Sequence, residues 1–246
     1  MPWTRRQFHQ HVAAARLLDH VCQQVWDYFR AHHRISERET QVYILKLFRR
    51  LHLQNEIERP IVAFRESTSV VHYYPPARSS LRLRRGTWIL LDVWARLNER
   101  GAPYADMTWM AWYGGEVPAP LRRIFTTVRI ARDAALYVVR QHTAAGKIPT
   151  GQAIDSVARR VIARAGFRGK FPHVVGHSLG FDSPHGKYGA LAPKNSSRIL
   201  PGVGYTIEPG VYVPKKFGAR LEMDFFLTEQ REVVLTTELQ REIVRI

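Results

Sequence analysis

Apolar residues recur at helical spacing almost from the start of the chain. Phe8, Val12, Ala15, Leu18, Val21, Val25 and Phe29 predict an amphipathic helix over residues 7–31. A second helix is signalled by Ser36 and Glu39, an S-x-x-E capping box ahead of Val42, Leu45, Phe48 and Leu51. In such a box the hydroxyl and the carboxylate each accept from an otherwise unpaired amide at the helix start. Pro60 and the run Ile61, Val62, Ala63, Phe64 predict a strand, and Pro75 and Pro76 mark the loop that ends the next extended piece. Residues 86–96 and 104–113, rich in aromatic and aliphatic side chains and joined by the turn-like LNERGAP, predict a hairpin. A long helix is expected over 117–145, carrying Leu121, Phe125, Val128, Ala131, Ala135 and Val139 and closed by Gly146. A shorter one follows from about Gln152 to Ala165 and ends at Gly166. Residues 205–213 and 219–228 then predict a second hairpin.

The two hairpins match. Asp92 and Asp106 are 14 residues apart, and so are Glu208 and Glu222, each pair on two extended segments linked by a turn. The pattern predicts an α+β fold of two similar halves, each with helices and a hairpin that carries two carboxylates. No low-complexity tract or linker separates the halves, so residues 1–246 are expected to form a single domain.

Composition narrows the function classes. The chain has 246 residues, 45% of them hydrophobic, which is enough to bury a core and argues against wholesale disorder. One cysteine, Cys22, cannot form an intramolecular disulfide, and the polar, basic N-terminus has no apolar stretch behind it. No segment approaches the ~20 apolar residues that span a bilayer. A cytoplasmic protein with no membrane partner is the expectation. The 37 Lys+Arg against 21 Asp+Glu give a formal charge of +16. Arginines sit in short groups all along the chain, such as Arg49 and Arg50 or Arg122 and Arg123, with no basic tail. That distribution fits a solvated basic exterior better than a nucleic-acid interface, since no nucleic-acid motif accompanies it.

A carboxylate in the middle of an apolar strand is costly unless it is paired. Taken singly, each of the four could face solvent or meet an arginine. Four together, with His177 in the glycine-flanked GHSLG, point to a divalent cation, because hard oxygen donors with one imidazole suit first-row metals.

The stretches HVVGHSLGFDSPHG, SRILPGVGYTIEPGVYV and ARLEMDFFLT resemble the signature of the "pita-bread" metallopeptidases, which include methionine aminopeptidase, Xaa-Pro aminopeptidase, prolidase and creatinase. IVAFRESTSVVHYYPP and LLDVWARLNERGAPYADMTW resemble the same family's earlier motifs. The histidine pattern and the SRIL segment look most like the Xaa-Pro aminopeptidase and prolidase branch.

The resemblance implies a pita-bread fold, with pseudo-twofold halves and a curved antiparallel sheet covered by helices. It also implies a two-metal site, with Mn²⁺ the leading choice and Co²⁺, Zn²⁺ or Fe²⁺ as alternatives. Asp106 and Glu222 would bridge the ions, Asp92 would hold one, and His177 with Glu208 the other. Glu208 would also shuttle protons, His173 would stand near the scissile bond, His185 would contact substrate, and His72 would line the substrate pocket. Arg220 would orient the site carboxylates. Met223 stands where an acidic residue often follows the second bridging glutamate, so the surroundings of the metal ligands are expected to differ there. The additional N-terminal domain of Xaa-Pro aminopeptidases is not expected in this chain.

The implied activity is removal of an N-terminal residue from a peptide substrate, probed first on Xaa-Pro bonds, and a homodimer is compatible with it. The alternatives are a non-catalytic member that binds nucleic acid or protein, and a methionine aminopeptidase-like or creatinase-like reaction. All five ligand positions are filled, which favours the enzyme.

Overall fold

Two capping boxes start the N-terminal helices. Thr4 and Gln7 cap α1 (Arg5–Ala31), and Ser36 and Glu39 cap α2 (Glu37–Arg50) as the sequence predicts. The computed structural model describes residues 2–55 and 59–246. Short strands β1 (Leu53–Gln54) and β2 (Ile61–Phe64) follow, then a 3₁₀ turn (Arg65–Ser69) that leads into the His72 loop. The predicted hairpin is β3 (Thr87–Leu97) and β4 (Ala105–Tyr113), antiparallel from Thr87 opposite Tyr113 to Ala95 opposite Ala105.

The second half begins with α3 (Ala119–Ala144) and α4 (Gly151–Ile162), whose last turn widens into a π-helical turn (Ala163–Phe167) stopped by Gly166 at φ 91°. Strands β5 (Gly176–Leu179), β6 (His185–Leu191), β7 (Val203–Ile207), β8 (Gly210–Val213), β9 (Phe217–Arg220), β10 (Met223–Leu227), β11 (Val233–Leu235) and β12 (Val244–Arg245) complete the chain.

The second expected hairpin is present but broken in the middle. β7 pairs with β10 and β8 with β9, and the ladder is interrupted at Pro209 and at Leu221 to Glu222. Proline brings no N–H to the ladder. Glu208 and Glu222 therefore sit in the break rather than inside strands. The register on both sides, Ile207 opposite Met223 and Gly210 opposite Arg220, sets the two glutamates across from each other.

Three sheets result: β1, β3, β4 and β12 with β2 beside β3; β11, β10, β7, β5 and β6; and the β8–β9 pair. Among the described residues all pairings are antiparallel except β12 on β4. One core lies between α1, α2 and the first sheet, and a second between α3, α4 and the other strands, joined by the inner faces of β3 and β4. The architecture is the helix-covered α+β arrangement of two halves that the sequence predicts.

Candidate metal centre

Period-two alternation decides which way each strand points its side chains. On β3, Ile89, Leu91, Val93 and Ala95 pack beneath α1 and α2, so Asp92 takes the opposite face with Trp88, Leu90 and Trp94. On β4, Ala105, Met107 and Ala111 pack the same helices, which turns Asp106 and Thr108 to the side of Asp92. β7 and β10 reverse the arrangement: Val203, Tyr205, Ile207, Met223 and Phe225 pack with the α3–α4 layer, and Thr206 and Asp224 look back toward the first hairpin. The two sheets meet through main chain as well, for Glu222 N–H donates to Thr108 O at 3.3 Å.

One cavity is lined by Asp92, Asp106, His177, Glu208, Arg220 and Glu222, with Ile61, His72, Trp94, Pro184 and His185 around them. Ligand atoms of Asp106, His177 and Glu222 all lie within 4.8 Å of one another, close enough to hold one ion. His177 Nδ1 donates to Ser178 O at 3.1 Å, which leaves Nε2 as the acceptor. That Nε2 faces Glu208 Oε1 at 3.4 Å and Asp106 Oδ2 at 4.0 Å. Burial, with His185 nearby, pushes the His177 pKa down to about 3, so its ring is the neutral form that ligates metals. Gly176 precedes it because a Cβ there would collide with the Thr206 carbonyl.

Asp92 is held differently. Its Oδ2 forms a buried ion pair with Arg220 Nη2, and its Oδ1 meets the Thr108 hydroxyl at 3.0 Å. The same hydroxyl lies 2.8 Å from Glu222 Oε2 and accepts from Arg220 Nε at 3.0 Å. Arg220 therefore does more than orient carboxylates from a distance, and Asp92 stands beside the three-residue cluster rather than within it.

The electrostatics call for positive charge. Burial raises the pKa of Asp106 well above the carboxylate range, and Glu222 and Asp92 add to it; for Glu222, burial and then Glu208 and Asp92 do the same. Burial brings Glu208 up to about 7 against the opposing pull of Arg220. Burial also raises Asp92, which Arg220 partly restrains. Among the described residues, four carboxylates and one arginine line the cavity, and Asp106 Oδ1 is buried with no hydrogen-bond partner. This donor set fits a divalent cation, which would take an orphaned oxygen, a lone pair aimed at two carboxylates and the surplus negative charge at once.

The other predicted residues fall into two groups. His72 and His185 line the cavity, and the His185 ring lies 4.3 Å from that of His177. His173 stands behind it: Nδ1 donates to Val174 O at 2.9 Å, the Tyr212 hydroxyl lies 3.0 Å from Nε2, and Glu208 Oε2 is 4.0 Å from the ring. Burial and Arg220 lower its pKa to about 3. Met223 points into the core, where it is fully buried. Asp224, one residue on, faces the site instead and accepts from Asp106 N–H at 2.8 Å, so the surroundings of the site carboxylates keep an acid at that strand.

Thr108, Tyr212, Asp224 and the Asp155–Arg159 pair were not singled out from the sequence. Thr108 was within reach, two residues after Asp106 on one strand face. Arg159 binds Asp155 at 2.6 and 3.0 Å and donates to the Phe171 and His173 carbonyls at 2.8 and 2.6 Å. Their i, i+4 spacing predicts the ion pair, but not the carbonyls it clamps.

The family model for metallopeptidase family M24 matches residues 9–229. YkvY of Bacillus subtilis (strain 168) is 31% identical over 202 residues, which is 82% of this chain and 52% of that protein. The crystal structure of a dipeptidase from Pyrococcus horikoshii OT3 superposes with a TM-score of 0.86 at 28% identity, covering 100% of this chain and 64% of that one. An X-Pro aminopeptidase from Thermotoga maritima MSB8 gives 0.86 at 25% identity over 100% of this chain and 65% of its own. The chain spans about half the length of the curated relatives it matches, 52% for YkvY. With Asp92, Asp106, His177, Glu208 and Glu222 gathered at one cavity, this chain belongs to metallopeptidase family M24.

Proposed function

We propose that the protein is a metal-dependent aminopeptidase that hydrolyses the N-terminal peptide bond of short peptides, with Xaa-Pro bonds as its first substrate class. The observation that carries this reading is the His177 Nε2 acceptor aimed at Asp106 and Glu208 beside buried Glu222. Asp106 and Glu222 would bridge two divalent ions, His177 and Glu208 would complete one, and Asp92 the other, with Mn²⁺ as the leading metal. Ions held there would lower the pKa of a water and polarise the scissile carbonyl.

Glu208 takes the nucleophile's proton and returns it to the leaving amine. Such an exchange typically contributes ~10²- to 10⁴-fold. His185 and His72 stand at the cavity wall to contact substrate, and His173 holds the Tyr212 hydroxyl in place. Residues 1–246 act as one catalytic unit in this reading, in the cytoplasm. Among the described residues no helix is long and apolar enough to cross a membrane.

The test is to strip the protein of metal, add back Mn²⁺, Co²⁺, Zn²⁺ or Fe²⁺ in turn, and assay Xaa-Pro and Met-Xaa peptides by release of the first residue. Turnover restored by one of them, greater on Xaa-Pro, is the expected result. Silence with every metal overturns the proposal.

A further inference from the structure

Folding gathers arginines that are scattered in the sequence. On the outer side of α3, Arg129, Tyr137 and Arg140 join Arg132, Asp133 and, from the C-terminal tail, Arg241 around a cavity of about 250 Å³. Arg122, Arg129 and Arg241 line an adjoining groove of about 400 Å³, with Glu242 at its edge. At 1.5 Å per residue, Arg122, Arg129 and Arg140 stand roughly 10 and 16 Å apart along the helix axis.

The tail is pinned where it needs to be for this cluster to exist. Arg132 is 1% exposed; its Nη1 donates to Gln240 O at 3.0 Å, and its Nε and Nη2 donate to Asp133 Oδ1 at 3.0 and 2.8 Å. Gln240 in turn accepts from Met110 N–H at 2.8 Å and donates to Met110 O at 2.6 Å. Arg241 is thereby fixed beside Arg129. Burial lowers the Arg132 pKa, Asp133 opposes that, and the charges of Arg129 and Arg241 add to the lowering, as crowded like charges do.

Glu242 is the acid that lines the groove without an ion pair among the described residues, and the arginines of this face still outnumber its acids. Asp133 is taken by Arg132, and Glu116 lies 3.4 Å from Arg122. Arg129, Arg140 and Arg241 have no ion pair with a carboxylate among the described residues. Between them Tyr137 is 61% exposed. Bare positive charge interleaved with an exposed ring suits a ligand that offers phosphates and flat apolar faces together. An acidic peptide would meet the arginines and leave the ring unused.

We propose that this face binds single-stranded nucleic acid, with Arg129, Arg140 and Arg241 on its phosphates and Tyr137 stacked on a base. This binding is separate from the metal centre, so its test needs no peptidase activity.

The experiment is fluorescence anisotropy of the full chain with a labelled oligouridylate of about twelve nucleotides, over a series of KCl concentrations. Three phosphate contacts predict a log–log salt slope of about −2 from these arginines. Arg129→Glu/Arg140→Glu/Arg241→Glu is expected to weaken binding at least ~10-fold and to remove most of that slope. Tyr137→Ala is expected to weaken it several-fold with the slope unchanged, and being a surface truncation it keeps the test decisive if the triple variant fails to fold. The matched reversal of Arg5, Arg49 and Arg50 on α1 and α2 is expected to bind as the parent does. Absence of binding, equal loss in that control, or displacement by polyglutamate as readily as by unlabelled oligouridylate would each overturn the proposal.

Discussion

Arg220 and Asp92, 128 residues apart, form a buried ion pair between the β8–β9 pair and the first sheet, with Thr108 closing the contact on both side chains. Arg220 is the cation that Asp92, Glu208 and Glu222 share in the protein chain itself; burial opposes its charge, but Asp92, Tyr212 and Glu208 hold its pKa well above the ordinary value. Arg220→Met leaves those carboxylates uncompensated in a buried site, at a cost of about 3 kcal/mol, the order expected when one partner of a buried pair is removed. Thermal unfolding should show it as a lowered Tm. Mn²⁺ should raise the Tm of the variant more than that of the parent, because the ion replaces part of the lost charge. An equal response of both proteins to Mn²⁺ would count against this account.

Glu208→Gln separates chemistry from folding. The amide fills the same space and cannot carry a proton, so turnover should fall by ~10²-fold or more while the circular dichroism spectrum stays that of the parent. Retained turnover with restored metal would remove the proton-shuttle role from this residue.

The alternation of β3 and β4 puts Asp92 and Asp106 on one face by sequence alone, and the equal spacing of Glu208 and Glu222 marks their partners. What the pattern does not convey is apposition. Arg220 meets Asp92 only because the β8–β9 pair packs against β3 and β4, and nothing local to either strand records that. Met223 illustrates a second limit: in a strand a shift of one residue reverses the face, so the acid that serves the site is Asp224 rather than its neighbour. Pro209 shows a third, since the segment 205–213 reads as one strand by composition and is divided in the structure. The arginine face on α3 was hidden for the same reason, because Arg241 arrives there through Gln240 and Arg132.

Arg159 acts on the site without touching the cavity. It ties α4 to the segment before β5 through Asp155 and the carbonyls of Phe171 and His173, and its guanidinium lies 4.3 Å from the Phe171 ring. Asp155 Oδ1 also accepts from Val175 N–H at 3.2 Å. Arg159→Met keeps length and packing but frees that segment, so His173 and His177 lose their fixed entry. A fall in kcat of roughly 10- to 100-fold with only a few degrees lost in Tm is expected, because small misplacements of catalytic groups are costly. Kinetics with thermal unfolding on the same preparation separates this from general destabilisation: a drop in Tm with unchanged kcat would mean a purely structural clamp.

His11 gives the fold its own pH dependence. The ring is fully buried: Nδ1 donates to Tyr104 O at 2.8 Å, and Nε2 accepts from the Thr236 hydroxyl at 2.7 Å. Burial lowers its pKa to about 4, against 6.5 for a free histidine. Between those values the unfolded chain binds a proton that the folded chain refuses, so stability rises with pH across the window. The contribution is complete above about pH 6.5, is lost progressively as pH falls, and is gone near pH 4, a total of about 3 kcal/mol. His11→Gln cannot take up that proton. Urea unfolding at intervals between pH 7 and pH 4 should therefore give a steeper loss for the parent than for the variant, and the difference between the two cancels the titrations they share. Parallel curves would show that His11 carries no such linkage.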